Sequence, residues 1–127
     1  MQEKQLFEYA VIRVVPRVER QEFFNVGIIV YCASAHFLQT KFELDKKKIA
    51  AFCDDIDTGD LEKRLNVFEQ ICSADLTAGP IAALPRGERF RWLTAVRSTI
   101  VQTSPVHPGF SQNLSETLDK LFKSLVK

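Results

Sequence analysis

The chain has 127 residues, of which 46% are hydrophobic and 26% charged, and its formal net charge is +1. This length predicts a single domain over 1–127, and the composition is ordinary for a globular protein with its own core. The near-zero charge argues against a dedicated nucleic-acid binder, which usually carries a basic surplus. The sequence has no apolar run of bilayer length and no signal-peptide order at its start, so we expect a cytoplasmic protein without membrane association.

Three early segments have the composition of β-strands. Residues 7–15 are rich in β-branched and aromatic side chains, which favour strands. In residues 23–32 the even positions are all apolar, so period-2 geometry predicts that they form one core face. Asn25 and Gly27 interrupt the other face, which indicates a β-bulge or a close backbone approach. Residues 37–44 alternate cleanly and predict a third strand that completes an antiparallel meander.

The middle of the chain has helical patterns. Asp45 precedes a short segment, residues 46–53, that it is placed to cap as a helix. The Asp-rich stretch 54–60 is predicted to be a loop. Apolar residues then recur at helical spacing over 61–74, which predicts an amphipathic helix.

The last third of the chain is less regular. Residues 88–96 fit a helix or a strand, and residues 98–103 resemble another strand. Residues 104–109, SPVHPG, are predicted to turn, because two prolines and a glycine fall within six positions. Asn113, followed by Glu116, has the spacing of a capping box and predicts the start of a final amphipathic helix.

These elements predict an α+β fold. An antiparallel sheet of about four strands, the N-terminal meander plus a later strand, packs with helices that include the C-terminal one.

Charged residues cluster in two places. Four arginines lie between Arg86 and Arg97, and four aspartates lie between Asp54 and Asp60. Two interpretations are open: two solvated faces, or a dipolar surface that docks an oppositely charged partner.

The sequence predicts neither a metal site nor a cofactor. Cys32, Cys53 and Cys72 are widely separated in apolar settings, which is typical of buried free thiols. No pair has zinc-ribbon spacing, and Cys32 with His36 supplies only two of the four ligands that zinc needs.

The first candidate site combines Arg13, Glu22 and Asn25. A hairpin between the first two strands would bring them close to cross-strand register, and Arg is a donor fork for carboxylate or phosphate. The alternative is an internal salt bridge of Arg13 to a nearby glutamate, with Asn25 bonded to backbone at a bulge.

The second candidate site surrounds the proline-rich segment and includes Arg97, Ser104 and His107. Hydroxyl, imidazole and guanidinium groups there would suit an anion or a peptide. Ser104 and His107 lack an evident orienting acid and nucleophile-elbow glycines, which argues against a nucleophile–base pair. The alternative is a rigid turn in which both residues bond backbone.

Trp92, beside Arg91, is the third candidate. It would serve as a stacking platform for a base, as an interface residue or as part of the core.

The pattern YAVIRVVP, then EFFNVGIIV, then RFRWLTAVRSTIVQTSPVHPG resembles the bacterial family called domain of unknown function 3037. The resemblance spans nearly the whole chain. It implies a paired role, since family members are often encoded beside HipA-like kinase-fold proteins, and it implies no chemistry.

Three functional hypotheses follow. The first is a non-enzymatic accessory module that docks a protein partner, with a kinase-fold neighbour as the expected one. The second is an enzyme or ligand-binding domain for a phosphorylated or nucleotide compound, which requires Arg13, Asn25, Arg97 and His107 to converge in one pocket. The third is nucleic-acid binding through residues 86–97. Homo-oligomerisation stays open.

Overall fold

An antiparallel sheet organises the computed structural model, which describes residues 3–16, 22–52, 56–97 and 99–127, apart from the side chain of Phe52. Its strands are β1 (Gln5–Val14), β2 (Phe24–Cys32), β3 (Phe37–Phe42), β4 (Val101–Thr103) and β5 (His107–Ser111). The order is β3-β2-β1-β4, and β5 also pairs with β1. This arrangement confirms the α+β fold with an N-terminal meander and a later strand. The loop predicted at 17–21 lies outside the described residues.

One edge of the sheet is shared by β4 and β5. Residues 12–14 of β1 pair with β4, and residues 5–9 pair with β5. The predicted turn over 104–109 is therefore wrong, because residues 107–111 extend along β1. An edge strand tolerates Pro108, since the backbone N–H that proline lacks is not needed on an open side.

A β-bulge in β2 changes which side chains share a face. The register passes from Ile12↔Gly27 to Arg13↔Asn25, so Val26 is the extra residue. The predicted bulge is thus present, but the prediction that the even positions form one core face is wrong. Phe24 and Val26 contact one core, whereas the even positions after the bulge contact the other. One inserted residue reverses the alternation.

Within the described residues, four α-helices cover the sheet: α1 (Lys46–Phe52), α2 (Thr58–Cys72), α3 (Arg86–Leu93) and α4 (Leu114–Leu125). Two short 3₁₀ helices, Leu76–Ala78 and Pro80–Ala83, lie between α2 and α3. Asp45 Oδ1 accepts the N–H groups of Lys47 and Lys48, both at 3.1 Å, as its capping role predicts. In the part of the chain described, no helix is long and apolar enough to cross a membrane.

The boundary before α2 differs from the prediction. Asp57 caps the helix by accepting the N–H of Asp60 at 3.1 Å, so residues 58–60 form its first turn and not the end of a loop. Asp is a preferred N-cap residue and acidic side chains stabilise a first turn, which explains the earlier start. Cys53, Asp54 and Asp55 lie outside the described residues.

The sheet separates two hydrophobic cores. The first core lies between the sheet and helices α2 and α3, and Ile49 of α1 joins it. The second core lies between the sheet and α4, and its buried residues are Phe7, Val11, Ile28, Val30, Cys32, Leu114, Leu118 and Phe122. The central strands β1 and β2 are therefore covered on both faces.

Candidate functional site

Arg13 and Asn25 lie together on the α4 side of the sheet. They are direct cross-strand partners at the bulge. Asn25 Nδ2 donates to the carbonyl of Leu125 at 2.9 Å, and the Arg13 guanidinium lies 4.0 Å from the centre of the Phe23 ring. Within the described residues, Arg13 Nε and Asn25 Oδ1 are buried without a hydrogen-bond partner. Asn25 thus ties β2 to the C-terminal end of α4, and Glu22 is exposed just before β2.

Ser104 has an architectural position between β4 and β5. It is buried, and its Oγ accepts the Val11 N–H at 2.8 Å and donates to the Pro105 carbonyl at 2.9 Å. A serine hydroxyl has one proton to donate, so this proton is directed at backbone and away from an imidazole. His107 is exposed and packs beside Tyr9, with ring centres 5.4 Å apart.

The structure does not bring the four residues of the enzyme hypothesis together. His107 pairs with Tyr9, four residues along β1 from Arg13, a separation of about 13 Å at the usual strand rise. Arg97 lies on the other side of the sheet, among residues of α2 and α3. The common pocket that this hypothesis requires is therefore absent from the described residues.

The arginines of residues 86–97 have different environments. Arg89 is buried and donates to the Leu84 carbonyl at 2.8 Å. Arg91 Nη2 donates to Glu8 Oε1 at 3.0 Å and lies 2.8 Å from Oε2 in an ion-pair contact. These contacts show that the clustered arginines do not form one solvated basic face.

Trp92 and Arg97 form a stacked pair outside the cores. The Trp92 side chain is 41% exposed, and the Arg97 guanidinium carbon lies 4.1 Å from the centre of its ring. The Arg97 guanidinium also donates to the carbonyls of Trp92 and Leu93. Burial lowers the pKa of Arg97 from its usual value. The possibility that Trp92 is a core residue is therefore wrong.

Trp92 borders a groove of about 340 Å³ between α2 and the segment from α3 to β4. We call it the Trp92 groove, and it is lined by Lys63, Arg64, Val67, Phe68, Ile71, Trp92, Leu93, Arg97, Thr99 and Val101. Phe68, Ile71 and Leu93 are buried and form an apolar floor. The charged side chains of its lining are all basic.

The contribution of α2 to this groove was missed at the sequence level. Lys63, Arg64 and Val67 lie off the apolar stripe of α2 and read as an ordinary solvated face. Val67 was the one indication in the sequence of α2, because it is an apolar residue on that polar face. In the structure its side chain is 42% exposed.

All eight candidate residues lie within a stretch that matches a known family. A family model described as "Protein of unknown function (DUF3037)" matches residues 9–126. The chain belongs to the DUF3037 family. No curated protein and no solved structure matches it.

A second cleft of this DUF3037 chain, about 290 Å³, lies where β2 meets the start of α1 and the end of α4. Three of its charged residues are already engaged: Lys127 Nζ lies 3.1 Å from Glu43 Oε2, and Asp45 caps α1. The described residues contain no group of three His, Cys, Asp or Glu side chains placed to hold a metal ion.

Proposed function

We propose that this DUF3037 chain is a small accessory module that docks a protein partner through the Trp92 groove. The observation that carries the proposal is the exposed Trp92 beside an apolar floor, with Arg97 stacked on its ring. Trp and Arg are enriched among residues that dominate protein interfaces, and they act where a pocket excludes water. Exposed Val67 extends the same apolar surface along α2.

The proposed partner is a kinase-fold protein of the HipA-like kind, and the proposed location is the cytoplasm. The support for this partner is the genomic association that the family resemblance implies. Docking is favoured over catalysis, because Ser104 is engaged by backbone and the polar residues of the enzyme hypothesis lie apart.

The test is quantitative affinity capture from the native host at physiological salt, with Trp92→Ala compared with the unaltered protein. We expect a specific protein to be captured, and its recovery to fall at least about tenfold in Trp92→Ala, since interface hot spots cost about 2 kcal/mol or more. The matched control is Phe110→Ala, which removes an exposed aromatic side chain of β5, 69% exposed.

Equal recovery by all three proteins, or no specific partner, would contradict the proposal. Circular dichroism and thermal unfolding of each variant separate a lost contact from a lost fold.

A further inference from the structure

The charge of the Trp92 groove is one-sided. Its lining contains Lys63, Arg64 and Arg97 and no carboxylate. Arg64 Nε pairs with Asp60 Oδ2 at 2.8 Å, and both side chains of this pair are half exposed. Exposed pairs of this kind are weak and screened. Lys63 has no ion-pair partner within the described residues.

Arg97 adds a third positive charge to the groove, and no carboxylate among the described residues fixes its position. Its hydrogen bonds go to two main-chain carbonyls, and its guanidinium is stacked on Trp92. Among the described residues it has no carboxylate partner. A stacked guanidinium keeps donors for a carboxylate, because it has five N–H groups in a planar fork.

The size of the groove limits how much of a bound molecule it can hold. Its volume of about 340 Å³ lies at the low end of the range for binding pockets. Phe68, Ile71 and Leu93 form a floor without charge. This surface fits one or two large apolar side chains, with charged groups of the bound molecule left at the rim.

We infer that the partner segment recognised by the Trp92 groove is acidic and amphipathic. One or two apolar side chains of that segment contact the floor, and its carboxylates face Lys63, Arg64 and Arg97. This inference rests on the proposed docking function and names the chemistry of the partner. A protein segment is favoured over nucleic acid, because the buried floor of the groove is apolar and suits apolar side chains, and Arg97 leaves at most one face of Trp92 for a base to stack on.

Trp92 supplies the reporter, since it is the single tryptophan of the chain. The probes are peptides of about 15 residues, the length at which an isolated helix becomes marginally stable, without aromatic chromophores. One carries leucines at i and i+4 among glutamates. A second replaces the glutamates by lysines, and a third replaces the leucines by serines. A single-stranded oligonucleotide is the fourth probe.

We expect only the first peptide to shift Trp92 emission to shorter wavelength in a saturable way, with weaker binding at higher salt. Lys63→Glu is expected to weaken this binding about tenfold, because an attraction becomes a repulsion. Lys47→Glu, an exposed lysine of α1 outside the groove, makes the same charge change and is expected to have no effect.

The inference is overturned if the lysine peptide or the oligonucleotide binds as tightly as the glutamate peptide, or if Lys63→Glu leaves binding unchanged. Failure of the glutamate peptide overturns it as well. If host protein capture still depends on Trp92, docking stands and only the acidic chemistry fails. If capture also fails, both are overturned.

Discussion

Gly27 lies where β2 and β3 are so close together that a side chain has no room. A Cβ there would lie 2.6 Å from the carbonyl oxygen of Lys41 and 2.7 Å from Cβ of Phe42. Neither atom belongs to the flexible end of a side chain, so the strand itself would have to shift. The sequence indicates either a β-bulge or a close backbone approach at this point, and the structure has both.

We predict that Gly27→Ala lowers the free energy of unfolding by about 2 kcal/mol, the typical cost of overpacking. Urea denaturation measures the change. Gly59→Ala is the control: in α2 its Cβ meets only Asp57 Oδ1 at 3.2 Å. A change below about 1 kcal/mol is expected there, because alanine favours helix. An unaltered midpoint for Gly27→Ala would contradict the proposed clash.

Ser104→Ala tests the architectural role of the second candidate site. The buried Val11 N–H loses its acceptor, so we expect a loss of about 1–3 kcal/mol in the free energy of unfolding. His107→Ala, at an exposed position of β5, should cost no more than about 0.5 kcal/mol. Capture of the partner is expected to be unaffected by either change. Full stability of Ser104→Ala would show that its two backbone bonds contribute nothing.

Among the elements, α4 shows how a predicted helix start is completed by its surroundings. Asn113 Oδ1 accepts the Glu116 N–H at 3.1 Å, as the capping pattern predicts. The Asn113 N–H donates to Ser111 Oγ at 3.0 Å. In a capping box the side chain at Glu116 would accept that N–H, so here the end of β5 takes over this role.

The apolar stripe of α4 divides into core and periphery. Phe122 is buried, Leu121 is half-buried and Leu125 is 37% exposed. We predict that Phe122→Ala costs about 3–5 kcal/mol and that Leu121→Ala costs clearly less, because the price of truncation grows with the cavity left behind. Chemical denaturation of both variants provides the comparison. Equal losses would mean that the C-terminal half of the stripe packs as one layer.

At the scale of the whole molecule, Cys72 reports on the first core. Burial raises the pKa of the Cys72 thiol from 9.0 to about 12, and nearby Arg89 opposes this only partly. The unfolded chain therefore loses the proton at lower pH than the folded protein. The contribution of the neutral thiol to stability is full below pH 9.0 and is lost as the pH rises towards about 12.

We predict that Cys72 resists alkylation in the folded protein at pH 8 and reacts once urea unfolds it, since the thiolate is the nucleophile. Peptide mapping by mass spectrometry after iodoacetamide treatment identifies the modified residue. When the pH is raised from 9 to 11, the free energy of unfolding of Cys72→Ala should fall by less than that of the unaltered protein. Rapid labelling of Cys72 under native conditions would mean that the first core opens without global unfolding.

Local patterns predicted most of the elements. The caps at Asp45 and Asn113 and the buried stripe of α2 depend on neighbours within a few residues, so they could be read directly. The segment at 104–109 could not, because its prolines suit an edge strand as well as a turn, and only pairing with β1 selects the strand.

The arrangement of the candidate site residues was harder to predict from the sequence than the elements were. Arg13 and Asn25 were expected to meet, and their cross-strand pairing follows from the hairpin. The hydrogen bond from Asn25 to Leu125 depends on where α4 packs, and the side of the sheet on which Arg97 lies depends on where α2 and α3 pack. Residues that are close in sequence do not specify either arrangement. Lys63 and Val67 entered the groove only because α2 lies beside Trp92.

The sequence by itself determined most of the element types and the caps at Asp45 and Asn113, since hydrophobic period and side-chain-to-backbone bonding act over short distances. It also determined the family, through a pattern that spans residues 9–126. The tertiary structure decided which face of β2 each side chain occupies and which distant residues line the Trp92 groove. The reason is that a single bulged residue reverses a strand's alternation, and helix packing joins side chains that no local pattern relates.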